Sequence, residues 1–177
     1  MRAPETVTTA RLTLRRPGVA DVEAVFAYAR DPEVTRMLGW PRHETVADTH
    51  GFLLFSERTW ATGVGPYVVV DAEGAVVGST GLEVETPYRA ATGYVLARPA
   101  WGRGYATEVA SAMAALAAQL RIGRLYALCH TENRASARVL AKAGFTLEGV
   151  LRRHTVFPNL DPTSAQDVEC WARLPAG

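Results

Sequence analysis

Residues 101–120 read WGRGYATEVASAMAALAAQL, and the rest of the chain is organised around them. Gly102 and Gly104 flank Arg103, ahead of a run with neither Pro nor Gly. Within that run Val109, Met113, Leu116, the small Ala117 and Leu120 recur at the spacing of one helix face. A glycine-bearing turn therefore feeds the N-terminus of a strong helix. Free backbone N–H groups and the positive end of the helix dipole converge there. Such a spot binds anions, phosphates above all.

Before this stretch, residues 90–97 (AATGYVLA) read as a strand that ends ahead of Pro99. Residues 66–70 (PYVVV) and 75–85 (AVVGSTGLEVE) form a hairpin about the turn at 71–74. Gly78 and Gly81 inside the second of these strands predict a bulge or a close neighbour. Earlier still, residues 11–16 (RLTLRR) alternate as a first strand, stopped by Pro17-Gly18. A helix with Val22, Val25, Phe26 and Ala29 on one face ends near Asp31-Pro32. One short turn is expected within 32–40. A second helix over 45–62 carries Val46, His50, Leu53, Leu54 and Trp60 on a face and stops at Gly63 and Gly65.

After the central helix, Gly123 is expected in the left-handed closing position. Residues 124–130 (RLYALCH) are apolar enough for a central strand. A shorter helix over 133–143 turns Val139, Leu140 and Ala143 inward and is capped by Gly144. Two last strands, 145–151 and 166–173, are joined by a loop containing Pro158 and Pro162. The order β-α-α-β-β-β-α-β-α-β-β predicts an α/β (α+β) fold, a mixed sheet with helices on both faces. The absence of a linker, repeat or low-complexity stretch predicts one domain over 1–177.

Composition narrows the function. A length of 177 residues, 48% apolar and 21% charged content and a net charge of +1 are ordinary for a globular enzyme or binding module. No run of like charge suggests a nucleic-acid partner. No apolar run approaches the ~18 residues of a membrane span, and the N-terminus lacks a signal-type apolar core. Cys129 and Cys170 stand apart with no CxxC or Cys/His spacing, so no metal site is expected and both read as buried thiols. These features together predict a cytoplasmic protein.

Trp101, Gly104 and Ala106 resemble the Gln/Arg-x-x-Gly-x-Gly/Ala motif of the GNAT superfamily of N-acetyltransferases. Trp101 stands where Gln or Arg is usual, a departure common in the branch of ribosomal-protein N-terminal (alanine/serine) acetyltransferases. The stretches RLTLRRPGVADVEAVF, GYVLARPAWGRGYATE and TENRASARVLAKAGFTLEGVLR resemble that branch as well. The resemblance implies a mostly antiparallel sheet of about six or seven strands with about four helices. It also implies an acetyl-CoA-dependent N-acetyltransferase.

On this resemblance the backbone of Gly102, Arg103, Gly104, Tyr105, Ala106 and Thr107 holds the pyrophosphate. The backbone of Tyr94, Val95 and Leu96 pairs with the pantetheine arm as an added strand would, and an N–H there serves as oxyanion donor. Asn133 matches a pantetheine contact, although a plain helix N-cap accounts for it equally. Ser136 matches a position that protonates the leaving thiolate, against a simple first-turn hydroxyl.

The general base is the missing piece. Relatives of this branch often carry Glu two residues before the Gly-Tyr of this strand, and here Ala91 stands there. Glu83, Glu85, His130 and His154 remain as candidates, with Glu83 and His130 ahead, and a water chain as a substitute. Trp40 and His43 are expected to wall the acceptor site, while Trp60 reads as core. The acceptor is then a primary amine, on a protein N-terminus or a small molecule, attacked in a ternary complex. A homodimer is compatible with the sequence. Ala91 also leaves open a non-catalytic acetyl-CoA-binding regulatory module. A dinucleotide-binding domain is disfavoured because GxGxxG is absent.

Overall fold

In the computed structural model, which describes residues 2–174, the chain builds one eight-stranded sheet and five helices. The order runs β1 (Thr6–Thr8), β2 (Thr13–Arg15), α1 (Val22–Ala29), α2 (Pro32–Thr35), α3 (Val46–Ala61), β3 (Tyr67–Val70), β4 (Val76–Thr86) and β5 (Arg89–Leu96). It continues with α4 (Tyr105–Gln119), β6 (Arg124–His130), α5 (Arg134–Lys142), β7 (Thr146–Phe157) and β8 (Asp161–Arg173). In space the strands lie in the order β1-β2-β3-β4-β5-β6-β8-β7. All neighbours are antiparallel except β5 and β6.

Helices cover both faces, as the alternation of strands and helices predicts. Val109, Met113 and Leu116 of α4, together with Leu140 of α5, pack on Leu82, Ala90, Leu96, Leu125 and Ala127. On the opposite face Val25, Tyr28 and Ala29 of α1, joined by Phe52 of α3, pack on Val68 and Val95. The Pro17-Gly18 corner that launches α1 is fixed by Asp21. Its carboxylate accepts from Arg15 at 2.6 and 2.8 Å and from the Gly18 N–H at 2.8 Å. Gly78 marks the close approach its sequence position suggests: a Cβ there would meet the Val95 carbonyl at 2.1 Å.

Several expectations are corrected. Leu120 ends α4, and Arg121 rather than Gly123 takes the left-handed position, at φ 59°. The Ile122 N–H then closes on the Ala117 carbonyl at 2.9 Å, a Schellman closure that a non-glycine residue bears at some strain. The inward face of α3 is Thr49, Leu53, Ser56 and Trp60, whereas Leu54 is 56% exposed and His50 is exposed. A short β1 precedes the expected first strand. The loop expected between the last two strands is mostly hairpin: β7 and β8 run on to a tight turn, with Pro162 inside β8. Register shifts between Leu147 and Gly149, Leu151 and Thr155, and Val156 and Phe157 erase the period-2 pattern there, which is why it reads as a loop.

The sheet has one opening that matters. β5 and β6 pair only from Arg89↔Arg124 to Ala91↔Tyr126. Beyond Ala91 the two strands continue to Leu96 and His130 without pairing, so the middle of the sheet diverges into a cleft.

Candidate active site

The glycine turn lies at the mouth of that cleft. Gly102 and Gly104 have φ of 74° and 81°, values that an L side chain adopts only at a cost of roughly 1–2 kcal/mol. Gly104 is the N-cap of α4, and the first helical bond runs from the Glu108 N–H to its carbonyl, at 3.2 Å. Among the described residues, no N–H from 102 to 107 has a protein acceptor. The helix dipole adds positive potential at the same point. The Arg103 guanidinium stands over the Tyr105 ring at 5.1 Å and has no ion pair among the described residues. This is a cluster of unsatisfied donors with a free cation beside it, suited to a diphosphate.

β5 supplies the second part. The Ala97 N–H donates to the Val77 carbonyl at 2.8 Å, which fixes the phase of hydrogen bonding with β4. By alternation Val95 turns its N–H and carbonyl toward β4, while Tyr94 and Leu96 turn theirs into the cleft. The Val95 backbone is therefore not available as an edge, and its side chain belongs to the α1 face of the core. The Leu96 carbonyl is already taken by the Trp101 indole N–H at 2.7 Å. What β5 offers to an extended ligand is the Tyr94 amide pair and the Leu96 N–H. Trp101 is thus the residue that ties the end of the strand to the glycine turn, an explanation for the departure at this position.

The third part is the start of α5. The Asn133 side-chain oxygen caps the helix by accepting from the Ser136 N–H at 3.0 Å. Its amide nitrogen donates to nothing among the described residues and remains available to a ligand. The Ser136 hydroxyl lies 2.8 Å from the Tyr94 phenol, which bridges the cleft from β5. Burial pushes the Tyr94 phenol up to about 12, against a small opposing effect of its Ser136 hydrogen bond. Below this pair Cys129 is buried. Desolvation, reinforced by the neighbouring Glu169 carboxylate, pushes its thiol up to about 11. A thiol so raised stays protonated at neutral pH and is a poor nucleophile.

The α1 face of the sheet carries Ala91 and the carboxylate nearest to it. Glu83 is the register partner of Ala91, so both side chains project on the α1 face. Glu83 is exposed and has no side-chain partner among the described residues. Glu85, two positions on, is engaged: the Tyr126 hydroxyl and the Arg89 guanidinium both donate to its carboxylate and hold it below its ordinary range. Gly93, the next β5 position on this face, looks onto open space. The cleft floor is therefore shallow beside Glu83.

His130 closes the far end of β6. It is 5% exposed, packs edge-on to Phe157 at 5.1 Å, and accepts the Glu132 N–H on Nδ1 at 3.1 Å. With Nδ1 accepting, neutral His130 carries its hydrogen on Nε2 and is a donor, ill suited to take a proton. His154 is exposed, and among the described residues its Nδ1 meets its own neighbour, the Thr155 hydroxyl, at 3.0 Å. Trp40 and His43 pack with tilted rings, centroids 5.4 Å apart, on the loop before α3. Burial lowers the pKa of His43, whose Nδ1 lies 2.9 Å from the Thr49 hydroxyl. Trp60 is core, donating to the Pro66 carbonyl at 2.9 Å.

Asn159, in the β7–β8 turn, clamps the Trp40–His43 loop in a way that no sequence pattern signals. Its side chain accepts from the Arg42 N–H at 2.8 Å and donates to the carbonyls of Thr35 and Trp40 at 2.8 and 2.9 Å. Among the described residues no group of three or more His, Cys, Asp or Glu is arranged to hold a metal. No helix among the described residues is long and apolar enough to cross a membrane.

The model of the acetyltransferase (GNAT) domain matches residues 11–146, well over half of the chain. The chain belongs to the GNAT acetyltransferase family. An uncharacterized N-acetyltransferase of Bacillus subtilis is 31% identical over 154 residues, covering 82% of this chain and 85% of that protein. A solved GNAT acetyltransferase from Bacillus anthracis superposes with a TM-score of 0.82 at 25% identity, covering 96% of this chain and 98% of the other. A spermidine N-acetyltransferase from Vibrio cholerae, solved with CoA and spermine, shares the fold at a TM-score of 0.78 and 19% identity, over 94% and 96% of the two chains. Membership of this GNAT family and the named relatives make the chain an N-acetyltransferase, which sets aside the non-catalytic module.

Proposed function

We propose that the protein transfers the acetyl group of acetyl-CoA to a primary amine by direct attack within a ternary complex, and that the acceptor is an α-amine, such as a peptide N-terminus. The observation that carries this reading is the run of unpartnered N–H groups at 102–107 opening onto the cleft between β5 and β6. The N–H groups of Gly102, Arg103, Gly104, Tyr105, Ala106 and Thr107 hold the diphosphate, with the Arg103 guanidinium alongside. Tyr94 and Leu96 pair with the extended arm, and the Asn133 amide nitrogen reaches it from α5. When bound, acetyl-CoA supplies an activated acetyl thioester in the cleft.

The residues of this chain do the rest. The Leu96 N–H donates to the carbonyl oxygen, where negative charge develops as the amine attacks. Ser136, backed by the Tyr94 phenol, donates a proton to the departing sulfur. Glu83, in the place next to Ala91, takes the proton that the amine gives up, directly or through one water. A lysine-type amine of pKa about 10.4 is almost wholly protonated near pH 7, whereas roughly a tenth or more of an α-amine of about 7.7–8.0 is already neutral there and asks less of a carboxylate base. Trp40 and His43 wall the acceptor. Direct attack is supported by the raised pKa of Cys129, which leaves no activated nucleophile in the cleft.

The test is release of free thiol from acetyl-CoA against a panel of short peptides, amino acids and polyamines. Peptides with a free α-amine are expected to turn over fastest. Faster turnover of polyamines, with blocked peptides as active as free ones, would overturn the acceptor assignment.

A further inference from the structure

The glycine turn is intrinsically loose. Two residues at positive φ bring flexibility that opposes a fixed array of N–H donors. Among the described residues, one side chain bonds to the backbone of this turn: the Arg11 guanidinium, whose Nη1 donates to the Arg103 carbonyl at 2.7 Å. That bond orients the peptide plane whose N–H is Gly104's. Nη2 of Arg11 also lies 3.3 Å from where a Cβ on Gly104 would be.

Arg11 is itself held from three sides. Its Nε donates to Glu108 at 2.8 Å, and its Nη2 pairs with the same carboxylate at 2.7 Å. The Glu108 carboxylate also accepts the Arg11 N–H at 2.8 Å and the Thr9 hydroxyl at 2.6 Å. The guanidinium lies over the Tyr105 ring at 4.9 Å, with Arg103 over the same ring at 5.1 Å. Glu108 sits in the first turn of α4, while Thr9 and Arg11 belong to the turn between β1 and β2. The chain's first hairpin is thereby latched to the helix that carries the donor array.

We propose that Arg11 and Glu108 are positioning residues for diphosphate binding: the latch preorganises the turn, and affinity for coenzyme A depends on it. This rests on the donor-site reading above. Electrostatics and positioning make opposite claims about Glu108. A carboxylate next to a phosphate site repels the ligand, so neutralising it ought to tighten binding if charge alone counts. If the carboxylate holds the latch, neutralising it weakens binding, because ordering the turn then falls to the ligand.

The experiment is calorimetric titration of wild-type protein, Arg11→Met, Arg11→Lys and Glu108→Gln with coenzyme A and with pantetheine, which lacks the diphosphate. Amide hydrogen exchange over residues 102–107 is measured on each ligand-free protein. Arg11→Met and Glu108→Gln are expected to weaken coenzyme A by about tenfold or more, while pantetheine binding stays unchanged and exchange in the turn speeds up. Arg11→Lys, which keeps the charge but cannot serve Glu108 and Arg103 together, is expected to fall between. Tighter coenzyme A binding by Glu108→Gln, or an equal loss for both ligands, would overturn the latch. Absence of coenzyme A binding by the wild-type protein would instead remove the donor-site reading on which it stands.

Discussion

At the scale of single residues, Ala91 offers no proton acceptor, and the carboxylate proposed as the base belongs to its neighbour across the ladder. Glu83 and Ala91 are register partners with side chains on one face, so a carboxylate can reach the same space from β4. The choice of Glu83 as the proposed base rests on the surroundings of the other candidates. Glu85 is committed to Tyr126 and Arg89, His130 accepts on Nδ1, and His154 is exposed beside Thr155. Glu83→Gln is expected to lower kcat roughly 10²-fold and to flatten the acidic limb of the pH–rate profile. An unchanged profile in that variant would hand the role to water. Cys129→Ala is expected to retain turnover within about threefold, because a thiol raised to about 11 contributes no nucleophile. Loss of activity there, measured beside an unchanged melting temperature, would reopen a covalent route. Asn133 and Ser136 are legible in the sequence as the N-cap and first turn of α5, whereas the side chain of Tyr94 is not. No pattern within the strand announces that its phenol meets a serine 42 positions away.

At the scale of elements, two contacts carry predictions. Asp21 fixes the corner between β2 and α1. Burial alone would raise its pKa, but the Arg15 guanidinium and the Gly18 N–H outweigh it and hold the carboxyl below its ordinary value. A depressed native pKa contributes stability that is present in full above the unfolded value of about 3.9 and fades as the pH falls through the lower native value. Asp21→Asn is therefore expected to cost about 1–3 kcal/mol at neutral pH, with the gap to wild type closing in acid denaturation series below about pH 4. A gap that persists unchanged at low pH would assign the loss to packing. Asn159 is the second contact. Asn159→Ala removes two bonds to the Trp40–His43 loop and one to the end of α2, and is expected to raise the KM for the amine by about tenfold, leaving the KM for acetyl-CoA unchanged. A parallel rise in both would show that the clamp supports the whole cleft. The element that carries Asn159 was the least legible in the sequence. Register shifts along β7 and β8, with Arg153 at φ 48°, break the alternation by which strands are recognised. By contrast α4, α5 and β6 are readable nearly to the residue: Val109, Met113, Leu116 and Ala117 keep one face of α4, Asn133 caps α5, and β6 is a short apolar run bounded by a glycine.

At the scale of the whole molecule, the proposed function depends on a failure of pairing. A sheet whose neighbours are otherwise paired opens between β5 and β6, and the donor array at 102–107 sits at that opening. The proposed donor half is legible because glycines, a helix start and an N-cap asparagine leave local marks. The proposed acceptor half is not: Glu83 lies on β4, Trp40 and His43 on the loop before α3 and Asn159 in the β7–β8 turn, separate elements that share no pattern in the sequence. The central claim is that the acetyl group passes straight from coenzyme A to an α-amine. It is tested most directly by initial-rate kinetics with acetyl-CoA and a turned-over peptide, with mass spectrometry of both peptide and protein after quenching. The account predicts intersecting double-reciprocal lines, one acetyl group on the peptide α-amine and none on the protein. Parallel lines with an acetyl group on the protein in the absence of peptide would contradict it.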